Sequence, residues 1–172
     1  MDWNNKQEVL EKVKIKGWEL EFASDKLKSD KEIALIAVKQ YGYAFEFISS
    51  KLKDDRDIVL EAVKNSYPII KINRKFRDDK EIVTKAVSNF GRALDYVSER
   101  FKDDKKIVLE AIKQDSMALQ FASDRLKNDV EIIKIAVEDD LKNFKFAGDK
   151  IKKQFSTVKK FLKSINLKMI KN

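Results

Sequence analysis

Hydrophobic residues in this chain recur as adjacent pairs one helical turn apart, and the pairs return about every 25 residues. One copy is Ile58-Val59 followed by Ala62-Val63. This spacing places four side chains on one broad face of an α-helix, whereas a half-buried strand needs alternation. The pattern therefore predicts one helix in each period. Further copies are Ile82, Val83, Ala86 and Val87; Ile107, Val108, Ala111 and Ile112; and Ile132, Ile133, Ala136 and Val137.

A second, shorter helix is predicted in the rest of each period. Its apolar positions are Phe45, Ile48 and Leu52; Leu94, Val97 and Phe101; and Leu119, Ala122 and Leu126. Pro68 stands where this helix begins in the third copy, a position at which helices tolerate proline well. With four Gly and one Pro in the chain, the helices must be joined by short connections.

Successive copies begin at Asn5, Asp30, Asp55, Asp79, Asp104 and Asp129. A paired helix of this length cannot bury its apolar face alone, so stacked neighbours must supply the core. The sequence therefore predicts an all-α fold of six stacked αα-hairpins that form a small solenoid over residues 1–151.

Residues that begin and end helices recur at the same places in the copies. Ser29, Asp54, Asp78, Asp103 and Asn128 are the predicted N-caps, with an acidic residue three positions later in all but the copy with Lys106. Three glycines, Gly17, Gly42 and Gly91, are predicted to end first helices in the left-handed conformation.

The last part of the chain, residues 152–172, is predicted to be a basic amphipathic capping helix. Its apolar seam begins at Ile151 and continues through Phe155, Val158, Leu162, Ile165 and Met169. The last 23 residues hold eight lysines and no acid, which accounts for the whole net charge of +8. Alternatives to a simple cap are binding of phosphates or an acidic protein, self-association, and, least favoured, contact with a membrane surface.

One stretch carries a resemblance to a known family. Residues 79–104, with Asp-Lys-Glu-Ile-Val at their start and Ser-Glu-Arg-Phe-Lys-Asp-Asp at their end, resemble the repeat of the domain-of-unknown-function 4116 family. The resemblance extends from residue 5 to about 151 and implies paired helices, but no activity and no binding residues. The third copy departs from it, because it lacks the glycine, contains Pro68 and is one residue short.

The residue types disfavour catalysis. The chain has no His and no Cys, so the common nucleophile–base pairs and zinc sites cannot be built. Paired acids such as Asp54-Asp55 recur in register with the repeat, which favours a structural role for them. We therefore expect no enzyme activity, no cofactor and no metal.

Two groups of residues are candidates for binding a partner. Aromatic residues at the inter-helix turns can stack on a partner beside basic side chains, and lysines of the tail can attract phosphates. The turn group is Tyr41, Tyr43, Tyr67, Phe90 and Arg92, and Arg74 and Arg77 of the third copy extend it. The tail group is Lys152, Lys153, Lys159, Lys160 and Lys163.

The first hypothesis for function is a non-catalytic module that binds a protein, for instance an inhibitor of a nucleic-acid-handling complex such as an anti-CRISPR or anti-defence protein. Direct binding of RNA or DNA through the tail is the second hypothesis, and a structural scaffold or homodimer is the third. The chain has no signal-peptide pattern, no apolar run that could span a bilayer and no cysteine, so the expected location is the cytoplasm.

Overall fold

The computed structural model describes residues 1–165, and every regular element among them is helical. The predicted all-α fold of helical repeats is therefore confirmed. The chain divides into two units, Met1–Asn89 and Phe90–Asn172. Within the described residues, no helix has both the length and the apolar character needed to cross a membrane.

In the first unit, the longer helices of successive repeats pack side by side in chain order. The α-helices are α1 (Lys6–Ile15), α2 (Asp25–Lys28), α3 (Lys31–Gln40), α4 (Arg56–Lys64) and α5 (Lys80–Asn89). Contacts run from α1 to α3, from α3 to α4 and from α4 to α5. The predicted stripes of α4 and α5 are buried, so each repeat covers the apolar face of its neighbour.

The second unit repeats this arrangement. Its α-helices are α6 (Glu99–Lys102), α7 (Lys105–Gln114), α8 (Val130–Asp139), α9 (Asp149–Phe155) and α10 (Val158–Ser164). The longer helices α7 and α8 contact each other, and their predicted apolar stripes are buried.

The second half of each repeat differs from the single α-helix that we predicted. It is a 3-10 helix followed by a short helical turn. The 3-10 helices of the first unit are Gly17–Phe22, Gly42–Glu46, Leu52–Asp54, Ile69–Lys71 and Arg74–Asp78. Those of the second unit are Gly91–Tyr96, Ser116–Phe121, Leu126–Asn128 and Leu141–Phe146.

A backbone hydrogen bond between repeats explains this break. The N–H of Ser49 donates to the carbonyl oxygen of Lys28 at 3.0 Å, and that of Ser123 donates to the carbonyl oxygen of Lys102 at 2.9 Å. In the first repeat, the N–H of Ser24 donates in the same way to Trp3, which lies just before that repeat, at 3.1 Å. Ser24 is extended, with ψ of 157°. A residue inside a continuous helix would donate its N–H within that helix, so a hydrogen bond to a segment outside it requires the helix to break at this residue. The predicted apolar positions of this half are nevertheless buried, including Phe45, Leu94 and Leu119.

The helix N-caps lie one residue later than we predicted. Asp55 is extended, and its Oδ1 accepts the N–H groups of Asp57 and Ile58 at 3.0 and 3.3 Å. Asp54 belongs to the preceding 3-10 helix and does not cap α4. The predicted caps Ser29, Asp54, Asp78, Asp103 and Asn128 are therefore wrong for these helices. The observed caps are Asp30, Asp55, Asp79, Asp104 and Asp129.

The glycines were also misinterpreted, because no glycine in the described chain has a positive φ. A Cβ on Gly17 would overlap the carbonyl oxygen of Ala37 in the next repeat, and one on Gly42 would overlap that of Asn65. Gly91 stands in the same relation to Ala111. These glycines allow the backbones of neighbouring repeats to approach closely.

The tail is not the single helix that we predicted. It breaks at Ser156, which is left-handed with φ of 38°, and Thr157 then caps α10 by accepting the N–H of Lys160 at 3.3 Å. The break places Phe161 against the ring of Phe144, with centroids 5.6 Å apart. Phe161 is fully buried although it lies off the predicted seam, and Met169 lies outside the described residues.

Candidate partner-binding surfaces

A ladder of ion pairs joins successive repeats along the starts of their longer helices. The first residue of one helix is a cation that reaches the N-cap acid of the next repeat and, two residues on, a second acid. In the first unit the ladder comprises Lys6 with Asp30 and Glu32, Lys31 with Asp55 and Asp57, and Arg56 with Asp79 and Glu81, at 2.7–3.3 Å.

The same step occurs in the second unit, where Lys105 lies 2.7 Å from Asp129 and 2.8 Å from Glu131. In the first unit, the hydrogen bond from Lys6 lowers the pKa of Asp30, and that from Arg56 lowers the pKa of Asp79. Each of these acids thus caps its own helix and pairs with the preceding repeat. Within residues 1–165, no cluster of three or more acids is placed to hold a metal ion.

The first acid of each Asp-Asp pair has a different role. Asp54 accepts a hydrogen bond from Asn73 at 3.0 Å and lies 3.2 Å from the Nζ of Lys75. Asp103 accepts hydrogen bonds from Ser123 and from the Nε of Arg125. Asp54 and Asp103 therefore join the shorter elements of adjacent repeats.

Asn128, another of the predicted caps, does cap a helix, but in the following repeat. Its Oδ1 accepts the N–H groups of Lys150 and Ile151 at 3.0 and 3.4 Å, so it caps α9. Gly148 lies against this side chain, since a Cβ there would overlap it. The junction between the last two repeats thus lacks the carboxylate that the previous junction has at Asp103.

The predicted tyrosines form one ring cluster in the first unit. The rings of Tyr41 and Tyr43 are 5.8 Å apart, and Tyr43 meets Tyr67 edge-on at 5.5 Å. Tyr41 and Tyr43 are 42% and 39% exposed, whereas Tyr67 is buried. The cluster is held at one side by Lys71, whose Nζ lies 5.9 Å from the ring of Tyr43 and 2.7 Å from Glu46.

Tyr67 supports this cluster with a side chain that is buried, unlike those of Tyr41 and Tyr43. Ser66 before it has φ of 69°, and the N–H of Tyr67 donates to Ala62 at 2.9 Å. This turn directs the ring inward, against Phe45 at 4.8 Å. Burial, together with the Glu46 carboxylate, raises the pKa of Tyr67. Tyr67 therefore has little exposed surface, and its role in binding a partner stays a prediction.

The sequence prediction missed two exposed aromatics of the first repeat, Trp18 and Phe22. They are 41% and 53% exposed, and their rings meet edge-on at 6.1 Å. Trp3 packs against Phe22 at 5.4 Å. Trp18 lies 25 positions before Tyr43, so the repeat period itself could have identified it. The elements Gly17–Phe22 and Gly42–Glu46 contact each other, and we name Trp18, Phe22, Tyr41 and Tyr43 the aromatic turn surface.

The remaining predicted turn residues differ in exposure and in their partners. Arg74 is exposed, whereas Arg77 is partly buried and its Nη2 donates to the carbonyl oxygen of Ile70 at 2.7 Å. This bond joins Arg77 to the backbone of its own repeat, and its role in binding a partner stays a prediction. In the second unit, Phe90 is 54% exposed and Arg92 is paired with Asp115 at 2.7 Å.

The predicted tail lysines are all exposed: Lys152, Lys153, Lys159, Lys160 and Lys163. The Nζ of Lys160 donates to the hydroxyl of Ser156 at 3.1 Å. Among the residues that the structure describes, none of these lysines forms an ion pair. Among them, Lys152 lines a cavity of about 360 Å³, together with Asp124, Lys127, Asn128, Lys145, Phe146, Ala147, Gly148 and Asp149.

Comparison with known proteins identifies a family but no activity. No curated protein and no solved structure matches the chain. The family profile described as "Domain of unknown function (DUF4116)" matches five overlapping segments, residues 5–53, 38–77, 55–102, 79–124 and 104–152. These segments span the repeats of both units. The chain therefore belongs to the DUF4116 family.

Proposed function

We propose that this chain is a non-catalytic module that binds a protein partner through the aromatic turn surface. The observation that carries the proposal is the exposure of four rings in the first unit: Trp18 and Phe22 on Gly17–Phe22, Tyr43 on the contacting element Gly42–Glu46, and Tyr41 directly before it. Buried aromatic stripes serve the core of a repeat, but these four rings leave a large part of their surface in water.

The rings are positioned before any partner arrives. Trp18 is held by Phe22 and by the Nζ of Lys16, which lies 5.8 Å from its ring, while Tyr43 is held by Tyr41 and Tyr67. A rigid aromatic side chain loses little conformational entropy on binding and buries a large area. Trp and Tyr are accordingly frequent among the residues that dominate interface energies.

The placement of the acids supports a non-catalytic role. Carboxylates are the commonest acid–base groups left in a chain without His and Cys. The acids that recur in the repeat cap helices or pair with neighbouring cations, as Asp55 does with Lys31 at 2.7 Å. Their chemistry is thus directed at holding repeats together.

The test is affinity capture from the native cells with the wild-type chain and the variant Trp18→Ala/Tyr41→Ala/Tyr43→Ala. A matched control, Val130→Ala/Leu141→Ala, removes two apolar side chains that are also exposed but belong to the second unit. A captured protein is then purified, and its affinity for each variant is measured. We expect binding to weaken at least about tenfold for the triple variant, because interface aromatics commonly contribute more than 1 kcal/mol each.

The control variant should bind as the wild type does. Equal capture by the triple variant would contradict the proposal. The identity of the captured protein tests whether the partner is a nucleic-acid-handling complex that the chain inhibits. Sedimentation of the pure chain tests the scaffold or homodimer alternative, which requires the chain to self-associate in the absence of any other protein.

A further inference from the structure

We propose that the second unit carries a separate surface that binds the phosphate backbone of single-stranded nucleic acid. We name five exposed lysines, Lys145, Lys152, Lys153, Lys159 and Lys160, together with the cavity that Lys145 and Lys152 line, the basic tail surface. It lies on different residues from the aromatic turn surface and does not depend on it.

The lysines of this surface are free because the ion-pair ladder stops before them. The first residue of α8 is Val130, where α7 has Lys105, so α8 offers no cation to a following helix. The cap of α10 is Thr157 and not an aspartate, and two residues after it stands Lys159 where the ladder has an acid. The first cations of α1, α3, α4 and α7 are paired with acids of the next repeat, whereas after α8 both the cation and its acceptors are replaced.

The cavity next to α9 gives the surface a place for one phosphate group. Lys127, Lys145 and Lys152 line it together with Asp124 and Asp149, and the carboxylate found at the previous junction is replaced by Asn128. Its volume of about 360 Å³ is ample for a phosphate with its water. Three cations against two acids, with Lys153 close by in sequence, leave the local charge positive.

An aromatic side chain in the cavity wall favours a single strand over a duplex. Phe146 lines the cavity and is partly exposed, and the Nζ of Lys145 lies 4.7 Å from its ring centroid. Single-stranded nucleic acids bind where bases stack on aromatic rings beside cations that follow the backbone. Bases in a duplex are already stacked on each other and cannot use the ring.

A membrane surface does not suit these lysines. A basic helix that lies on a bilayer needs a free apolar face opposite its charges. The large apolar side chains of α10, Phe161 and Leu162, are buried in the fold. Phe161 packs against Phe144 and Phe155, so its ring is not available to contact a bilayer.

The test is fluorescence anisotropy of the full chain with labelled single-stranded RNA or DNA of mixed sequence over a range of salt concentrations. We expect binding at low salt that weakens steeply as salt rises, because phosphate contacts release counterions. The variant Lys145→Gln/Lys152→Gln/Lys153→Gln should reduce the slope of log affinity against log salt by about 2. Phe146→Leu should weaken binding about fivefold or more while keeping an apolar side chain in place.

The control Lys12→Gln/Lys14→Gln/Lys26→Gln removes equal charge from exposed lysines of the first unit and should leave affinity unchanged. Absence of salt-sensitive binding overturns the proposal. So does a control variant that loses as much affinity as the Lys145→Gln/Lys152→Gln/Lys153→Gln variant. A polyglutamate peptide that competes as well as the nucleic acid shows that an acidic protein is the partner and overturns it too. Circular dichroism and thermal melting confirm that each variant is folded.

Discussion

At the scale of single residues, the repeat junctions depend on what fits between two backbones. Gly17 and Gly42 lie against carbonyl oxygens of the following repeat, and the N–H of Gly17 donates to the side chain of Gln40. Gln40 in turn donates to the carbonyl oxygen of Ile15 at 2.9 Å. A small residue and an amide side chain thus join adjacent repeats where the longer helix ends.

Gly42→Ala tests this close approach. A methyl group there meets the carbonyl oxygens of Asn65 and Ala62, which belong to backbone and cannot move aside cheaply. We expect the free energy of unfolding to fall by about 1–3 kcal/mol, as is typical of overpacking. Chemical denaturation measures it, with Lys26→Ala on the exposed surface as control. Unchanged stability would show that the repeats are further apart than described.

The two acids of each Asp-Asp pair are predicted to differ in their contribution to stability. Asp55→Ala removes the cap of α4 and the partner of Lys31, so we expect a loss of about 1–2 kcal/mol. Asp54→Ala removes only exposed contacts to Asn73 and Lys75 and should cost less than about 0.5 kcal/mol. Denaturant unfolding of both variants measures these losses. A larger loss of unfolding free energy for Asp54→Ala than for Asp55→Ala would indicate that Asp54 is the cap of α4.

At the scale of the elements, the longer helices could be predicted from sequence because their paired apolar positions repeat with little variation. Their caps were displaced by one residue because both members of an Asp-Asp pair are suitable caps by residue type. Only the backbone shows that Asp54 ends a 3-10 helix. The glycines were misassigned because a sequence does not show which carbonyl oxygen of a neighbouring repeat lies against them.

The tail shows the same limit of sequence reasoning. Its apolar spacing suits one continuous helix, yet Ser156 breaks it so that Phe161 can pack on Phe144. The exposed aromatic residues were predicted in part: Tyr41 and Tyr43 are exposed, whereas Trp18 was missed because the first repeat is degraded in sequence. Tyr67 and Arg77 were chosen by residue type, and their burial depends on the irregular turn of the third repeat.

Phe161→Ala tests the role of α10 as a cap. The side chain is fully buried and contacts the rings of Phe144 and Phe155. Its removal should destabilise the tail by about 3–5 kcal/mol, the usual cost of deleting a buried ring. Hydrogen exchange of amides in 149–164 should accelerate strongly. Unaltered protection there would mean that α10 is not packed on the fold.

At the scale of the molecule, the ladder links stability to pH. The partner cations hold the pKa of Asp30 and Asp79 below the ordinary value of 3.8. A lowered pKa in the folded state stabilises the protein above the unfolded pKa, and this stabilisation is lost as pH falls through the folded pKa. Unfolding free energy should therefore decline as pH falls below about 5.

Asp79→Asn isolates the charge, because asparagine is as good an N-cap as aspartate. The variant should be less stable than the wild type near neutral pH and should converge with it in acid, where both residues are uncharged. Denaturation midpoints across the pH range measure this. Parallel curves for the two proteins would show that the charge of Asp79 contributes nothing.

The claim that the aromatic turn surface receives the partner is tested most directly by hydrogen exchange of the chain with and without its captured protein. The account predicts new protection in peptides that contain Gly17–Phe22 and Gly42–Glu46, with little change in α9 and α10. Protection confined to the second unit, with the first unit exchanging as in the free chain, would contradict it.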